Sequence, residues 1–251
     1  MGRIPFMFRQ QSLISVTGYT LRPGGFSLTQ NAVDVCGFDR DDQILDAGCG
    51  YGMTGRYLFE EYGIRAMATD VAEDMVRRTR LKHTATPGWD AGIVQSRIPA
   101  LPFRSGTFNG IFCECVLSLI PDKKTCLDEF FRILKKNGRL VLTDLYIPER
   151  YKNLAAQNTT GTQEIRSCLD GAVTLMSLIR LVESAGFTVE MIEDHTQYLK
   201  QMAGQMVFEH GSLNNFWDTV SGTLCNTRVS SACKAGQLKP GYYMMIAARY
   251  E

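Results

Sequence analysis

Several features that would assign this sequence to a specialised class are scarce or missing. No apolar run approaches the roughly 18 to 20 residues of a membrane-spanning helix. The opening stretch, MGRIPFMFRQQSLISVTGYT, lacks the continuous apolar centre and small-residue cleavage site of a secretion signal, so a cytoplasmic address is expected. Neither sign of charge is in excess. The 27 lysines and arginines face 26 aspartates and glutamates, a formal net charge of +1. That balance gives no footprint for nucleic acid or a membrane surface. No C-x-x-C pair occurs and there are three histidines, so a closed structural zinc site is not indicated, and no metal is expected.

What is present is cysteine: Cys36, Cys49, Cys113, Cys115, Cys126, Cys168, Cys225 and Cys233. A chain of 251 residues with 45% hydrophobic content builds a core that needs no covalent staples. The thiols are expected to be free, most of them buried and inert.

Along the chain, strand and helix patterns alternate. After the glycine turn Arg22-Pro23-Gly24-Gly25, a helix is expected over 27–36 and a buried strand over 43–47. A helix over 53–62 ends at Gly63, and a strand over 64–70 leads to an arginine-rich helix over 72–82. Strands follow over 91–95 and 108–115, then a helix over 123–134 stopped by Asn137-Gly138, and an apolar strand over 139–146. Beyond Pro148 lie a polar connection (149–170), a helix over 171–184, a strand over 187–193 and a long excursion over 195–238. The last strand is GYYMMIAAR, 241–249. Such alternation implies a mostly parallel sheet with helices on both faces. The excursion carries Met202, Met206, Phe208, Leu213, Phe216 and Trp217. These suit a substrate pocket, a dimer surface or a cover for the sheet, of which cover is preferred.

The strongest local signal is ILDAGCGYG at 44–52. A buried strand runs into a turn with glycines at alternate positions, where backbone and ligand approach without a Cβ between them. The helix that follows offers free N–H groups and the positive end of its dipole. Gly48, Gly50 and Gly52 complete only the first part of a dinucleotide-binding G-x-G-x-x-G, which disfavours a nicotinamide oxidoreductase. Asp46 places a negative charge beneath the turn, which suits an ammonium or sulfonium and not a pyrophosphate. Asp70, at the end of the next strand, is placed to accept both hydroxyls of a ribose, or to cap the helix that follows.

In these residues the sequence resembles the class I S-adenosylmethionine-dependent methyltransferases, of the UbiE-like group. The matching segments are ILDAGCGYG (44–52), MATDVAEDMV (67–76), IPALPFRSGTFNGIF (98–112) and FFRILKKNGRLVLTD (130–144), in the family's order. The resemblance implies one Rossmann-like α/β domain over 1–251, with a seven-stranded, mostly parallel sheet, helices on both faces and an antiparallel last strand. It implies a cofactor-covering segment over 1–36 and an insertion over 195–238. S-adenosylmethionine would be the cofactor and S-adenosylhomocysteine its product. Asp46, Ala47, Gly48 and Gly50 would hold the methionine portion and Asp70 the ribose, with Val71 and Met75 near the adenine. The family often holds the adenine amino group with a carboxylate where this chain has Ser96-Arg97-Ile98. Adenine would then be read by the Ile98 backbone or stacked upon by Arg97. Cys113, on the next strand, is counted with the cofactor residues, and Asn109 stands where the family usually has aspartate.

Acceptor chemistry is expected from loops at the carboxyl ends of the strands: Cys113, Glu114, Cys115, Asp144, Tyr146 and His195. Alternate spacing would turn Cys113 and Cys115 to the same face. The segments Cys115–Lys123 and Ser167–Val173 resemble arsenite methyltransferases, which would make Cys168 and Cys225 thiolate ligands to a soft acceptor. That family's cysteine just after the glycine turn has no counterpart in 52–56. Three readings stay open: methylation of a small molecule such as a quinone-like ring, methylation of arsenite or a thiol, and a binding module without catalysis. No catalytic base is nominated, and a homodimer is open.

Overall fold

The computed structural model describes residues 14, 17–85, 88–89, 92–156, 165, 167–215 and 228–250. The repeating unit runs α1 (Ser27–Cys36), β1 (Ile44–Ala47), α2 (Met53–Tyr62), β2 (Met67–Asp70), α3 (Glu73–Ala85) and β3 (Ile93–Gln95). It continues with β4 (Phe108–Glu114), α4 (Lys123–Ile133) and β5 (Leu134–Tyr146). Beyond β5 come the short helices α5 (Lys152–Ala156) and α6 (Cys168–Gly171), then α7 (Leu175–Ser184) and β6 (Thr188–Asp194). The chain closes with α8 (Thr196–His210), α9 (Arg228–Lys234) and β7 (Gly241–Ala248).

The seven strands form one sheet in the order β3-β2-β1-β4-β5-β7-β6. The first five are parallel, and β7 inserts antiparallel between β5 and β6. This is the expected Rossmann-like sheet with its antiparallel last strand. Alternation sorts the strand residues into two cores. Leu45, Ile111, Leu140, Leu142 and Met245 face Leu127 and Phe130 of α4 and Leu178 and Val182 of α7. Ile44, Phe112, Val141, Tyr242, Met244 and Ile246 face Leu28, Ala32 and Val33 of α1 and Leu58 of α2.

Local chemistry sets two boundaries differently from the sequence expectation. The helix α4, capped by Asp122 whose carboxylate accepts from the Thr125 amide at 3.0 Å, stops at Ile133 and not at Asn137-Gly138. Those two residues instead lie in a bulge of β5, where Phe108↔Leu134 and Gly110↔Arg139 pair in succession and Asn137 takes the left-handed backbone. The helix expected over 171–184 is also broken. The chain turns as α6, runs extended at Ala172, and restarts at α7 with Thr174 accepting from the Ser177 amide. At the break, Gly171 approaches the Ser118 carbonyl so closely that a Cβ would lie 1.7 Å from its oxygen.

The 195–238 stretch is helical over α8 and α9, and residues 216–227, with Phe216 and Trp217, lie outside the described residues. Among the described members of its named apolar set, only Met206 is fully buried, whereas Phe208 is 90% exposed, so sheet covering accounts for part of the set. No described helix is long and apolar enough to cross a membrane.

Candidate active site

A cavity of about 660 Å³ opens at the carboxyl ends of β1 to β4. This is where an open α/β sheet is built to receive a ligand, at its topological switch point. Its floor is the β1 turn. Gly48 and Gly52 hold positive φ where a Cβ would strike Val116 Cγ2 at 2.5 Å and Thr79 Cγ2 at 2.3 Å. Gly50, between them, also has positive φ, but its missing Cβ points into open space, with Leu21 4.0 Å away. The loop's outer glycines are thus required by packing. The central one leaves room inside the cavity.

Three carboxylate side chains line this space, Asp46, Asp70 and Glu114. Asp70 receives the Gly50 amide on Oδ2 and the Ala72 amide on Oδ1, each at 2.9 Å, so it ties the glycine loop to the start of α3. Burial raises its affinity for the proton, and the amides of Ala72, Gly50 and Val71 oppose that. Asp46 is 3% exposed, and its Oδ2 has no hydrogen-bond partner. Burial first, and the Glu114 carboxylate second, push the Asp46 carboxyl up to about 7, against the pull of Arg22. A buried, unpartnered carboxylate oxygen is costly unless a cation or donor arrives to meet it.

The roof is the segment before α1. Tyr19 packs edge-on against Tyr51 at 5.2 Å, and Leu21 takes a left-handed backbone. Arg22 turns inward, 6% exposed, and pairs with Glu114 at the end of β4, Nη1 to Oε2 at 3.1 Å. Two threonines complete the ring. Arg22 donates to Thr54 Oγ1 at 2.9 Å and Thr29 Oγ1 at 2.7 Å, and those hydroxyls donate to Glu114 at 2.7 and 2.9 Å. This fastens the roof to β4, α1 and α2 at one point. The sequence marks Arg22 only as part of a turn, and Glu114, expected among the acceptor residues, is instead held in this ring. Nothing in the spacing 22, 29, 54, 114 signals the ring.

The structure brings together most of the residues expected at a cofactor. Asp46, Gly48, Gly50, Asp70, Val71, Met75, Arg97 and Ile98 all line the cavity. Ala47 and Cys113 do not. Their side chains fall on the α4/α7 side of the sheet, inside the core. The expectation that Cys113 and Cys115 share a face is also corrected. Cys115 lies just past the end of β4, has φ of +55°, and packs with the opposite core, its thiol 3.4 Å from Tyr242 Oη. The left-handed backbone interrupts the strand alternation on which that expectation rested. Cys115 lines the cavity, and burial together with nearby Asp144 keeps its thiol protonated.

The remaining acceptor residues are placed elsewhere. Cys168 starts α6 and is not in the cavity wall; burial and nearby Asp144 and Cys115 likewise hold its thiol protonated. His195 is drawn to Glu193, 2.9 Å from its Nε2, and stacks with Tyr198, also outside the wall. Tyr146 Oη donates to Asp194 at 3.3 Å. Asp144 is turned under the wall and bound to Ser118. Cys225 lies outside the described residues.

A mostly parallel sheet in this strand order, with a glycine loop after β1 and an acidic residue ending β2, is the Rossmann-like architecture that the sequence led us to expect. Residues 45–142 match the family described as "Methyltransferase domain". An uncharacterised protein of Haemophilus influenzae is 30% identical over 131 residues, 51% of this chain and 52% of its own. The arsenite methyltransferase of Aquipseudomonas alcaligenes is 33% identical over 163 residues, 61% of this chain and 46% of its own. The chain spans about half, or less, of the length of the curated relatives it matches. Among solved structures, the fold matches Haemonchus contortus phosphoethanolamine N-methyltransferase 2 in complex with S-adenosyl-L-methionine. The TM-score is 0.73 at 16% identity, covering 96% of this chain and 56% of that one.

Proposed function

We propose that this protein is an S-adenosylmethionine-dependent methyltransferase acting on a small molecule. The observation that carries the reading is the unpartnered, buried Asp46 oxygen beside the open face of Gly50. A cationic amino-acid tail fits there: its ammonium answers Asp46, and its carboxylate meets the positive end of the α2 dipole, where Met53 and Thr54 line the cavity. Asp70 would accept the ribose hydroxyls while keeping its two backbone amides, since each carboxylate oxygen has a second lone pair. Val71, Met75 and Ile98 offer an apolar bed for adenine, and Arg97 stands at its edge. When bound, S-adenosylmethionine supplies a methyl group on a sulfonium, which is transferred by in-line displacement.

The protein's part is alignment and the exclusion of water. The roof of Tyr19, Leu21 and Arg22 closes the cavity, and Arg22–Glu114 keeps it closed. Arsenite as acceptor is less well supported, because Cys168 is outside the cavity wall and the thiol of Cys115 is protonated.

Calorimetric titration of the reduced protein with S-adenosylmethionine, S-adenosylhomocysteine and NADH tests the reading, with Asp70→Ala alongside. Both adenosyl ligands should bind and NADH should not, and the variant should lose at least about tenfold in affinity, the worth of one strong hydrogen-bonded contact. Absence of adenosyl-ligand binding would reject the assignment.

A further inference from the structure

The methyl-transfer reading leaves open what lies at the other end of the cavity, and the sheet order gives that end a direction. The strands run β3-β2-β1-β4-β5. Asp70 ends β2 and Val71 follows it, and Ser96 to Ile98 follow β3, so the nucleoside portion belongs on that side. The opposite end lies past β4, where Val116, Leu119, Ile120 and Pro121 line the cavity, joined by Ile165, which lies beside Gly171 and Ser118. These side chains are apolar.

The polar groups of this segment are turned the other way. The Ser118 amide donates to Asp144 Oδ2 and its hydroxyl to Asp144 Oδ1, both at 2.8 Å. The ammonium of Lys123 donates to the Ile120 carbonyl at 2.9 Å. The Ser118 carbonyl lies against Gly171 of α6. At the junction, both oxygens of Glu114 are engaged by Arg22, Thr29 and Thr54. The 116–121 loop is thereby fixed from behind, and its apolar side is presented to the cavity. A charged acceptor docked on this wall would lose water with no free counter-charge there among the described lining residues, a heavy penalty. An apolar one would gain by burial.

We propose that the wall formed by Val116, Leu119, Ile120, Pro121 and Ile165 binds an acceptor with an uncharged aromatic or alkyl body. Such an acceptor carries its own nucleophilic atom, which takes the methyl group as S-adenosylhomocysteine leaves and gives up its proton to solvent, since the carboxylate and thiol at this end are held in structural bonds. This rests on the methyl-transfer reading, and the experiment separates the two.

Protein saturated with S-adenosylhomocysteine is titrated with 2-naphthol, a small uncharged aromatic probe, by fluorescence. Leu119→Gln and Ile165→Gln are measured beside it, and each variant's S-adenosylhomocysteine affinity is determined by calorimetry. In parallel, methyl transfer from labelled S-adenosylmethionine is compared between 2-naphthol, benzyl thiol, sarcosine and phosphoethanolamine. The expected result is saturable 2-naphthol binding, weakened at least tenfold in one or both variants, with S-adenosylhomocysteine affinity changed less than twofold. Among acceptors, the uncharged pair should be preferred. Three results would overturn the proposal: no saturable binding to the loaded protein, binding indifferent to both substitutions, or faster methylation of sarcosine or phosphoethanolamine. Failure of S-adenosylhomocysteine itself to bind would instead reject the methyl-transfer reading.

Discussion

Asp46 joins the sequence pattern to a measurable property. In the folded chain its carboxyl titrates near 7, because burial and the neighbouring Glu114 disfavour the anion more than Arg22 favours it. The folded state therefore holds this proton more tightly than the unfolded chain. The group's contribution to stability is complete below its unfolded value near 4 and is lost as pH rises toward 7. A cationic ligand prefers the anion and should drive the proton off. Binding of S-adenosylmethionine at pH 6 should release up to about one proton. Calorimetry in two buffers of different ionisation enthalpy reads this directly, and identical heats would contradict it. The glycines give a second residue-scale test. Gly48→Ala puts a methyl group 2.5 Å from Val116 at positive φ, so about 1–3 kcal/mol of stability should be lost. Gly50→Ala meets open space, so its stability cost should be only about 1 kcal/mol. Its ligand affinity should fall more than that of Gly48→Ala does per unit of stability lost. Chemical denaturation and calorimetry on both variants decide it. The glycine motif was readable from the sequence because alternate glycines after an apolar strand have few other uses. Which glycine serves packing and which leaves room was not, since that depends on Thr79 and Val116, distant in the chain.

At the scale of elements, strands and long helices were legible because each carries its own periodicity, as the apolar spacing of Leu127, Phe130 and Phe131 in α4 shows. What was not legible came from contacts between elements. The break between α6 and α7 is imposed by the approach of Gly171 to Ser118, and the reversal of Cys115 by one left-handed residue after β4. The roof is the clearest case. Arg22 reaches a carboxylate 92 positions away (114 − 22) through two threonines on different helices. Removing one partner of such a buried pair leaves the other charge uncompensated, typically a loss of about 3–5 kcal/mol. Here the loss should appear locally, because the roof is a short segment with few other anchors: the Tyr19–Tyr51 contact, the stacking of Phe26 on Tyr57, and Gly24 against Tyr198. Arg22→Met should raise hydrogen exchange of amides 18–25 at least tenfold. Exchange in β4 and β5 should stay within about twofold. Unchanged protection of 18–25 would mean that the ring does not hold the roof.

For the whole molecule, the sheet divides into a part that builds the cavity and a part that supports it. β1 to β4 end in the glycine loop, Asp70, Arg97 and Glu114, whereas β5, β7 and β6 contribute no cavity-lining residue among those described. All eight residues of β7 are buried, and it pairs along its length with β5 and β6, so this half is set by packing alone. A ligand in the cavity would touch the first four strands, the roof and the 116–121 loop together. It would stabilise the folded state by an amount set by mass action, about 2.7 kcal/mol at a concentration one hundred times its Kd. The gain should be distributed unevenly, because local opening is cheaper than global unfolding. Saturating S-adenosylhomocysteine should therefore slow exchange most in the roof, in the loop after β1 and at the carboxyl ends of β2 and β3. Amides of α7 and β6 should change only through the global term. Asp70→Ala should remove both the rise in melting temperature and the local protection, since it severs the tie between Gly50 and Ala72 along with the ribose contact. Protection spread evenly over both halves of the sheet would argue against a ligand seated at the ends of β1 to β4. Its loss only on substitution near β6 would place the binding site elsewhere.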